Sequence, residues 1–530
     1  MPRPGFVLDV DRSTPPILFH HGDGFRLERL PAGRSRVLYP AEPLPALDDV
    51  DAVIRDALLH PLDSDPLPAL LRPGMKLTIA FDDVSLPLPP MRSPDIRQRV
   101  IEAVLDLAAA AGVDDVHLIA ALALHRRMTE AELRHAVGDR VYDAFAPQGA
   151  LYNHDAEDPD NLAFLGTTDQ GEEVEINKRA AESDLVIYVN INIVSMDGGH
   201  KSTATGLASY RSIKHHHNVR TMQHSKSFMD RHHSELHHSN WRMGEVIKNA
   251  GVKVFQIETT INNDTFGQSG PMSVLAKREW EWTGRDRATF VAMQAGLKRM
   301  KGSTRRKIFN GWQAPYGITS VTAGAVDPVH ERTLAHCFEQ HLVEVEGQTD
   351  ILTLGLPYIC PYNVNSVMNP ILAACMGLGY YFNSYLGQPI VRKDGAVILY
   401  HPVDYEFSQL HHPSYVDFFE EVLSESTDPA TIEAKFEKQY AEDPWYIHLY
   451  RTSNAYHGVH PFYMWYWISH ALDHCGDIVW VGANRKTVER MGFRSASTLQ
   501  DALEMVSHSV GRSPSIAYLH NPPHLLAEVV

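Results

Sequence analysis

The feature of the sequence that most constrains the fold is a strand–helix–strand pattern between residues 76 and 124. Two apolar runs, Lys76–Asp82 (KLTIAFD) and Val116–Leu124 (VHLIAALAL), have the length and composition of buried strands. The segment Ile96–Ala111 between them has helical periodicity, and Ser93 and Pro94 supply a predicted N-cap and first turn. A β-α-β unit of this kind requires parallel strands joined by a right-handed crossover.

The same alternation of strands and helices continues along the chain in two series. A chain of 530 residues is too long for one hydrophobic core, so two series indicate two domains. We therefore predict an α/β fold with two doubly wound, Rossmann-like domains, residues 1–335 and 336–530, and a ligand cleft between them. The further predicted strands are Asp184–Ile193, Val252–Ile261, Asp350–Leu356, Gly395–Tyr400 and Gly476–Gly482.

Composition excludes several classes of partner. The net charge is -17, from 48 basic and 65 acidic residues, and this disfavours binding to nucleic acid or to an anionic membrane. No apolar stretch approaches the length of a membrane span, and the N-terminus lacks the apolar segment of a signal peptide. The 4 cysteines form no CxxC pair. These features predict a cytoplasmic protein that acts on a small molecule.

Polar side chains follow the first two predicted strands. Asp83 and Ser85 come directly after the first strand, and His125 follows the second, just before a helix that opens with the capping box Thr129–Glu132. The carboxyl ends of parallel strands meet at one edge of a sheet, where open α/β sheets bind ligands. A site at this edge is therefore predicted; the alternatives are an ordinary turn for Asp83 and Ser85 and a buried structural histidine for His125.

Three further polar segments are candidates for chemistry. His154, beside Asp155, is either a base with its orienting acid or part of a loop that binds its own backbone. Gly198 and Gly199 precede Lys201 and would let a ligand approach the backbone closely. The GxxxxGK[ST] pattern is not satisfied here because its first glycine is missing, so a P-loop is excluded.

A run of three histidines, His215–His217, lies within a histidine-rich region that ends at His238. Imidazole is a good ligand for zinc, copper, iron and nickel. Neighbouring residues on a helix point about 100° apart, so the three rings cannot face one metal. We expect one ligand among them.

Four stretches together resemble the lactate racemase family, whose members are 2-hydroxyacid racemases and epimerases dependent on a nickel-pincer nucleotide. The stretches are Ala121–Leu133 (ALALHRRMTEAEL), Tyr152–Asp155, Ile176–Asp184 (INKRAAESD) and Gly198–His217.

The resemblance implies a cofactor and roles for several residues. The cofactor is a pyridinium-3,5-bisthiocarboxylate mononucleotide carrying nickel, tethered to Lys201, with His217 as the protein's nickel ligand. His125 would be a catalytic base, and Asp83 and Ser85 would lie near the cofactor. The implied reaction is isomerisation of a 2-hydroxy acid or sugar acid by reversible hydride transfer from C2 to the cofactor.

The sequence also departs from the family pattern. The family reaction needs a base on each face of the substrate, but no histidine in Asn190–Gly199 matches the second base, and Leu86 replaces the family's turn arginine. Two alternatives therefore remain beside the racemase: a divergent member that binds the cofactor or a metal without racemase turnover, and a zinc-dependent hydrolase that uses the His215–His238 region.

Overall fold

Two mostly parallel sheets organise the chain, whose computed structural model describes residues 2–530. The strands, in chain order, are β1 (Phe6–Asp9), β2 (Ile17–His21), β3 (Gly24–Glu28), β4 (Ser35–Tyr39), β5 (Lys76–Asp82), β6 (Asp115–Ala121), β7 (Leu151–Asn153), β8 (Leu162–Thr167), β9 (Glu173–Asn177), β10 (Leu185–Asn192), β11 (Val254–Ile261), β12 (Ile318–Gly324), β13 (Leu342–Val345), β14 (Thr349–Gly355), β15 (Tyr385–Leu386), β16 (Val391–Tyr400), β17 (Asp477–Val481), β18 (Arg494–Ala496), β19 (Ile516–Leu519) and β20 (Leu526–Val529).

The first sheet has six strands in the order β12-β11-β10-β5-β6-β7, and only β12 runs antiparallel to its neighbour. The second has seven strands in the order β1-β4-β19-β14-β16-β17-β18, and only β1 is antiparallel. Helices lie between the strands, so the predicted α/β class is confirmed. The α-helices of eight residues or more are Val50–Leu59, Ile96–Ala110, Glu130–Val137, Glu235–Asn249, Gly284–Arg299, Gly302–Asn310, Val326–His341, Pro444–Thr452 and Leu499–Val510.

The predicted β-α-β unit is present, with β5 and β6 paired in parallel from Lys76 opposite Asp115. Its helix begins at Ile96, as the helical periodicity predicts, but the predicted N-cap is wrong. Asp95, not Ser93, is the N-cap, because its carboxylate accepts the amide hydrogen of Arg97 and also binds the Arg97 guanidinium. In β5 every residue after Lys76 is buried, as expected for a strand covered on both faces.

The two sheets do not divide at residue 335, because the second sheet includes strands from both ends of the chain. Strands β1 and β4, from the first 40 residues, complete the sheet of the C-terminal half, because β4 pairs in parallel with β19. No local signal in the short N-terminal strands reveals this long-range pairing. Among residues 2–530, no helix combines the length and apolar character needed to cross a membrane.

Candidate active site

A cavity of about 540 Å³ lies where chain order reverses in both sheets. The reversal falls between β5 and β10 in the first sheet and between β19 and β14 in the second. Residues after the carboxyl ends of these strands line the cavity, among them Asp83, Lys201, Pro357 and Asn521. Ligand sites in open α/β sheets lie at such reversal points, so this cavity is the candidate active site.

His125 and Asp83 form a hydrogen-bonded pair at the cavity wall. Nδ1 of His125 lies 2.8 Å from Oδ2 of Asp83, and the other carboxylate oxygen accepts hydrogen bonds from Ser85. Burial alone would raise the pKa of Asp83, but His125 and the Ser85 hydrogen bonds outweigh it and hold the pKa below its ordinary value. An ionised Asp83 accepts the Nδ1 hydrogen, which leaves Nε2 of His125 as a free base.

The turn that presents this pair is fixed by a residue that the sequence analysis did not single out. Buried Arg97 donates to the carbonyl oxygens of Asp82 and Asp83, both at 2.7 Å, while its partner Asp95 neutralises its charge. On the neighbouring strand end, Ala123 adopts a left-handed φ of 52° two residues before His125. Such conformations are strained outside glycine and persist where the surrounding structure fixes a site.

Lys201 begins a short helix, Lys201–Ala204, and lines the same cavity. Its Nζ lies 3.3 Å from the carbonyl oxygen of Met196 and 3.8 Å from Oδ1 of the buried Asp197. The primary amine is therefore positioned at the cavity, and its side chain is 28% exposed.

The paired glycines before Lys201 have φ values of 83° and 60°. A Cβ on Gly198 would lie 2.5 Å from Oε1 of Glu258, and the amide of Gly199 donates to the same oxygen at 2.7 Å. Gly198 lines the cavity, whereas the Gly199 amide is already paired. Their visible role is to let the turn pack against a buried carboxylate.

Of the three consecutive histidines, only His217 lines the cavity. Its Nδ1 lies 2.7 Å from Nδ1 of the fully buried His216, which leaves Nε2 as the nitrogen available to a ligand. Burial, with the nearby His216 and Lys201, lowers the pKa of His217 well below its ordinary value. The ring is therefore neutral, the state in which imidazole binds metals. His215 points elsewhere, 3.8 Å from Glu173.

His154 is not part of this cavity. It is buried, its Nε2 lies 3.0 Å from the carbonyl oxygen of Ala208, and its Nδ1 lies 3.3 Å from the Asn177 amide. With both ring nitrogens paired inside the protein, His154 ties strand β7 to its surroundings. The loop interpretation fits this placement better than the base.

The C-terminal half contributes a histidine that the sequence analysis missed. His460 begins the helix His460–Tyr466, lines the cavity, and has its ring centroid 5.4 Å from that of His125. It lies in an apolar, aromatic stretch (HPFYMWYW) that carries the pattern of a buried helix and no motif. Only the packing of the two sheets reveals its proximity to His125.

Within residues 2–530, one group of three side chains could bring metal-binding atoms within 4.8 Å of one another: His200, Glu245 and Asp327. None of them belongs to the His215–His238 region. The hydrolase alternative therefore lacks a three-ligand zinc site in the described part of that region.

Known proteins resemble this chain most clearly in its first half. Residues 22–230 match the family model of the lactate racemase N-terminal domain. Lactate racemase from Lactiplantibacillus plantarum is 27% identical over 168 residues, and that from Thermoanaerobacterium thermosaccharolyticum is 25% identical over 174 residues. Each alignment covers 31% of this chain and 37% of the relative, so it spans little more than a third of these relatives' length.

Solved structures extend the likeness of fold to nearly the whole chain. The lactate racemase apoprotein from T. thermosaccharolyticum superposes with a TM-score of 0.62 at 16% identity, covering 97% of this chain and 99% of that one. A Thermotoga maritima protein superposes with a TM-score of 0.52 at 14% identity, covering 92% and 100%. The chain is therefore similar to the N-terminal domain of lactate racemases over residues 22–230, and it shares the lactate racemase fold over nearly its whole length.

Proposed function

We propose that this protein is an isomerase, a racemase or epimerase of 2-hydroxy acids, that uses a nickel-pincer nucleotide. One observation carries the proposal: the His125–Asp83 pair, the Lys201 amine and His217 all face a single cavity. An oriented base, a nucleophilic amine and a neutral metal-binding imidazole are the groups that this chemistry requires. The cytoplasmic location predicted from the sequence belongs to the same proposal.

The residues present fit the cofactor. Lys201 supplies an amine for the tether, and His217 supplies a neutral nitrogen donor of the kind that nickel accepts. In the tautomer in which Nδ1 of His216 accepts the Nδ1 hydrogen of His217, the lone pair of His217 Nε2 is free to bind the metal. The chemistry that such a cofactor supplies when bound is the reversible acceptance of a hydride from C2 of the substrate.

The protein's own contribution is to move a proton and to keep water out. Nε2 of His125 takes the proton from the substrate hydroxyl as C2 is oxidised, and returns it when the 2-oxo acid is reduced. Asp83 stabilises the imidazolium that forms, without itself taking the proton. The apolar cavity walls exclude water, which strengthens the attraction between Asp83 and His125.

The apolar part of the cavity lining indicates the substrate class. The lining residues that the segment between β11 and β12 contributes are mostly apolar, including Phe266, Met272, Met293, Met300 and Phe309. Methionine and aromatic side chains adapt to bulky apolar groups. We therefore propose a 2-hydroxy acid with a larger apolar substituent than the methyl group of lactate.

A second candidate is a divergent protein that removes and returns the C2 hydrogen on one face only and so does not invert the carbon. The segment Asn190–Gly199 holds no histidine, and the side chain of Asn192 is occupied by the carbonyl oxygen of Asp197 at 2.8 Å. The segment Asn190–Gly199 therefore offers no second imidazole base. Binding of the cofactor without turnover belongs to the same candidate.

The test is to produce the protein together with the proteins that synthesise the cofactor. Nickel content and the mass of the Lys201 peptide are measured, with Lys201→Ala as the control that cannot carry the tether. The loaded protein is then given each enantiomer of lactate, 2-hydroxyisocaproate and phenyllactate, deuterated at C2, together with the matching ¹³C-labelled 2-oxo acid. Interconversion of enantiomers supports the racemase, and transfer of deuterium to the ¹³C-labelled acid with retained configuration supports the second candidate. Zinc without a mass adduct on Lys201 would overturn both.

A further inference from the structure

His460 has one paired and one unpaired ring nitrogen. Nδ1 lies 2.6 Å from the hydroxyl oxygen of Tyr415, whereas Nε2 is buried and has no hydrogen-bond partner in residues 2–530. The whole side chain is only 2% exposed. A buried polar atom without a partner is destabilising, and most such atoms are paired in folded proteins. The unpaired nitrogen therefore suggests a bound ligand.

The Tyr415 hydroxyl fixes which nitrogen carries the hydrogen. Within residues 2–530, Nδ1 of His460 is its one hydrogen-bond partner. A buried hydroxyl that did not donate would leave its hydrogen unpaired, so Tyr415 donates to Nδ1. In a neutral ring, the hydrogen of His460 then lies on Nε2. Burial, together with neighbouring histidines such as His125, lowers the pKa of His460 well below its ordinary value and keeps the ring neutral.

The lining of the cavity limits what could bind a carboxylate. Among the described lining residues there is no arginine, and Lys201 is the only lysine. If Lys201 is consumed by the cofactor tether, the protein offers no permanently charged cation to a substrate carboxylate. A neutral N–H donor close to the base is then the available partner, and the His460 ring lies 5.4 Å from that of His125.

We infer that His460 binds a carboxylate oxygen of the substrate through its Nε2 hydrogen, while His125 holds the adjacent hydroxyl. This inference rests on the proposed function, because that function supplies the carboxylate. His460 is then a binding residue and not the missing second base, since its Nε2 donates a hydrogen and has no lone pair to accept one. Tyr415 is its positioning residue.

The first experiment measures binding to the loaded protein by calorimetry with two ligands. Phenylpyruvate carries the carboxylate, and phenylacetone has a methyl group in its place. We expect His460→Phe to weaken phenylpyruvate binding about ten- to a hundredfold, the value of a hydrogen bond to a charged group, and to leave phenylacetone binding unchanged. His460→Gln, which keeps an N–H donor, should lose less, and Tyr415→Phe should fall between them.

A matched control and a second measurement keep the outcome unambiguous. His457 is also buried, but Glu157 and the Val459 amide pair its nitrogens, so His457→Gln should leave the affinity unchanged. In the unloaded protein, ¹⁵N NMR of labelled histidines, assigned with His460→Gln, should show the hydrogen of His460 on Nε2. A hydrogen on Nδ1, or equal losses for both ligands, would overturn the inference. Absence of both enantiomer interconversion and deuterium transfer from C2 by the wild-type protein on every 2-hydroxy acid would instead remove the proposed function.

Discussion

The sharpest prediction from the site concerns Asp83→Asn. The substitution keeps the size of the side chain but removes the charge that faces Nδ1 of His125 at 2.8 Å. An asparagine can also present its NH₂ group to Nδ1, which would move the imidazole hydrogen to Nε2 and abolish the free base. The hydrogen bonds from Ser85 to the other oxygen can persist, so we expect the fold to survive.

The magnitude follows from the geometry. With charge centres about 4 Å apart and an effective dielectric constant of about 20, the attraction between carboxylate and imidazolium is about 4 kcal/mol. A loss of this size in the transition state corresponds to a factor of about 10³ in rate. Because His125 and Asp83 act as a unit, the double variant with His125→Ala should be little worse than His125→Ala alone.

The assay is the transfer of deuterium from C2 of the best substrate to the matching ¹³C-labelled 2-oxo acid by the loaded protein. Thermal unfolding and the mass of the Lys201 peptide verify that fold and loading are unchanged. Ser85→Ala is the matched control, because it removes a hydroxyl from Asp83 while leaving the contact with His125, and it should cost far less than Asp83→Asn. If the rate of deuterium transfer by Asp83→Asn stays within tenfold of the wild-type rate, the carboxylate does not orient the base and the proposed pairing is wrong.

Three other predictions concern the surroundings of the site. Replacing His216 with leucine should weaken nickel binding about 10–100-fold by equilibrium dialysis, since the ligand His217 loses its acceptor, whereas His215→Ala should have little effect. Arg126→Met should lower the free energy of unfolding by about 3–5 kcal/mol in urea titration, because it leaves Glu132 buried without its bidentate partner. Burial raises the pKa of Asp82 from 3.8 to about 7, so the folded protein keeps a proton that the unfolded chain has released. The free energy of unfolding should therefore fall as pH rises from about 4 to about 7, and Asp82→Asn should flatten this slope.

Local sequence signals were sufficient to predict the part of the site that lies at the ends of strands. The apolar run of β5 and the capping box at Thr129 positioned Asp83 and His125 at one sheet edge, because side-chain periodicity and capping are properties of neighbouring residues. The ring of His460 could not be found in this way. Its distance from His125 depends on how the two halves of the chain pack, and residues more than 300 positions apart leave no local trace of such a contact. The same holds for β4, whose partner β19 lies at the other end of the chain.

Three of the five histidines that line the cavity differ in the chemistry they can perform because their Nδ1 atoms have different partners. A carboxylate accepts the Nδ1 hydrogen of His125, so its Nε2 is a base. A hydroxyl donates to Nδ1 of His460, so its Nε2 is a donor. Another imidazole pairs with Nδ1 of His217, whose Nε2 can then bind a metal. The position of each ring in the cavity therefore does not determine its role, and neither does the count of histidines in the sequence. The hydrogen-bond partner of Nδ1 determines the role of each ring. Exchanging that partner should therefore convert one role into another without moving the ring.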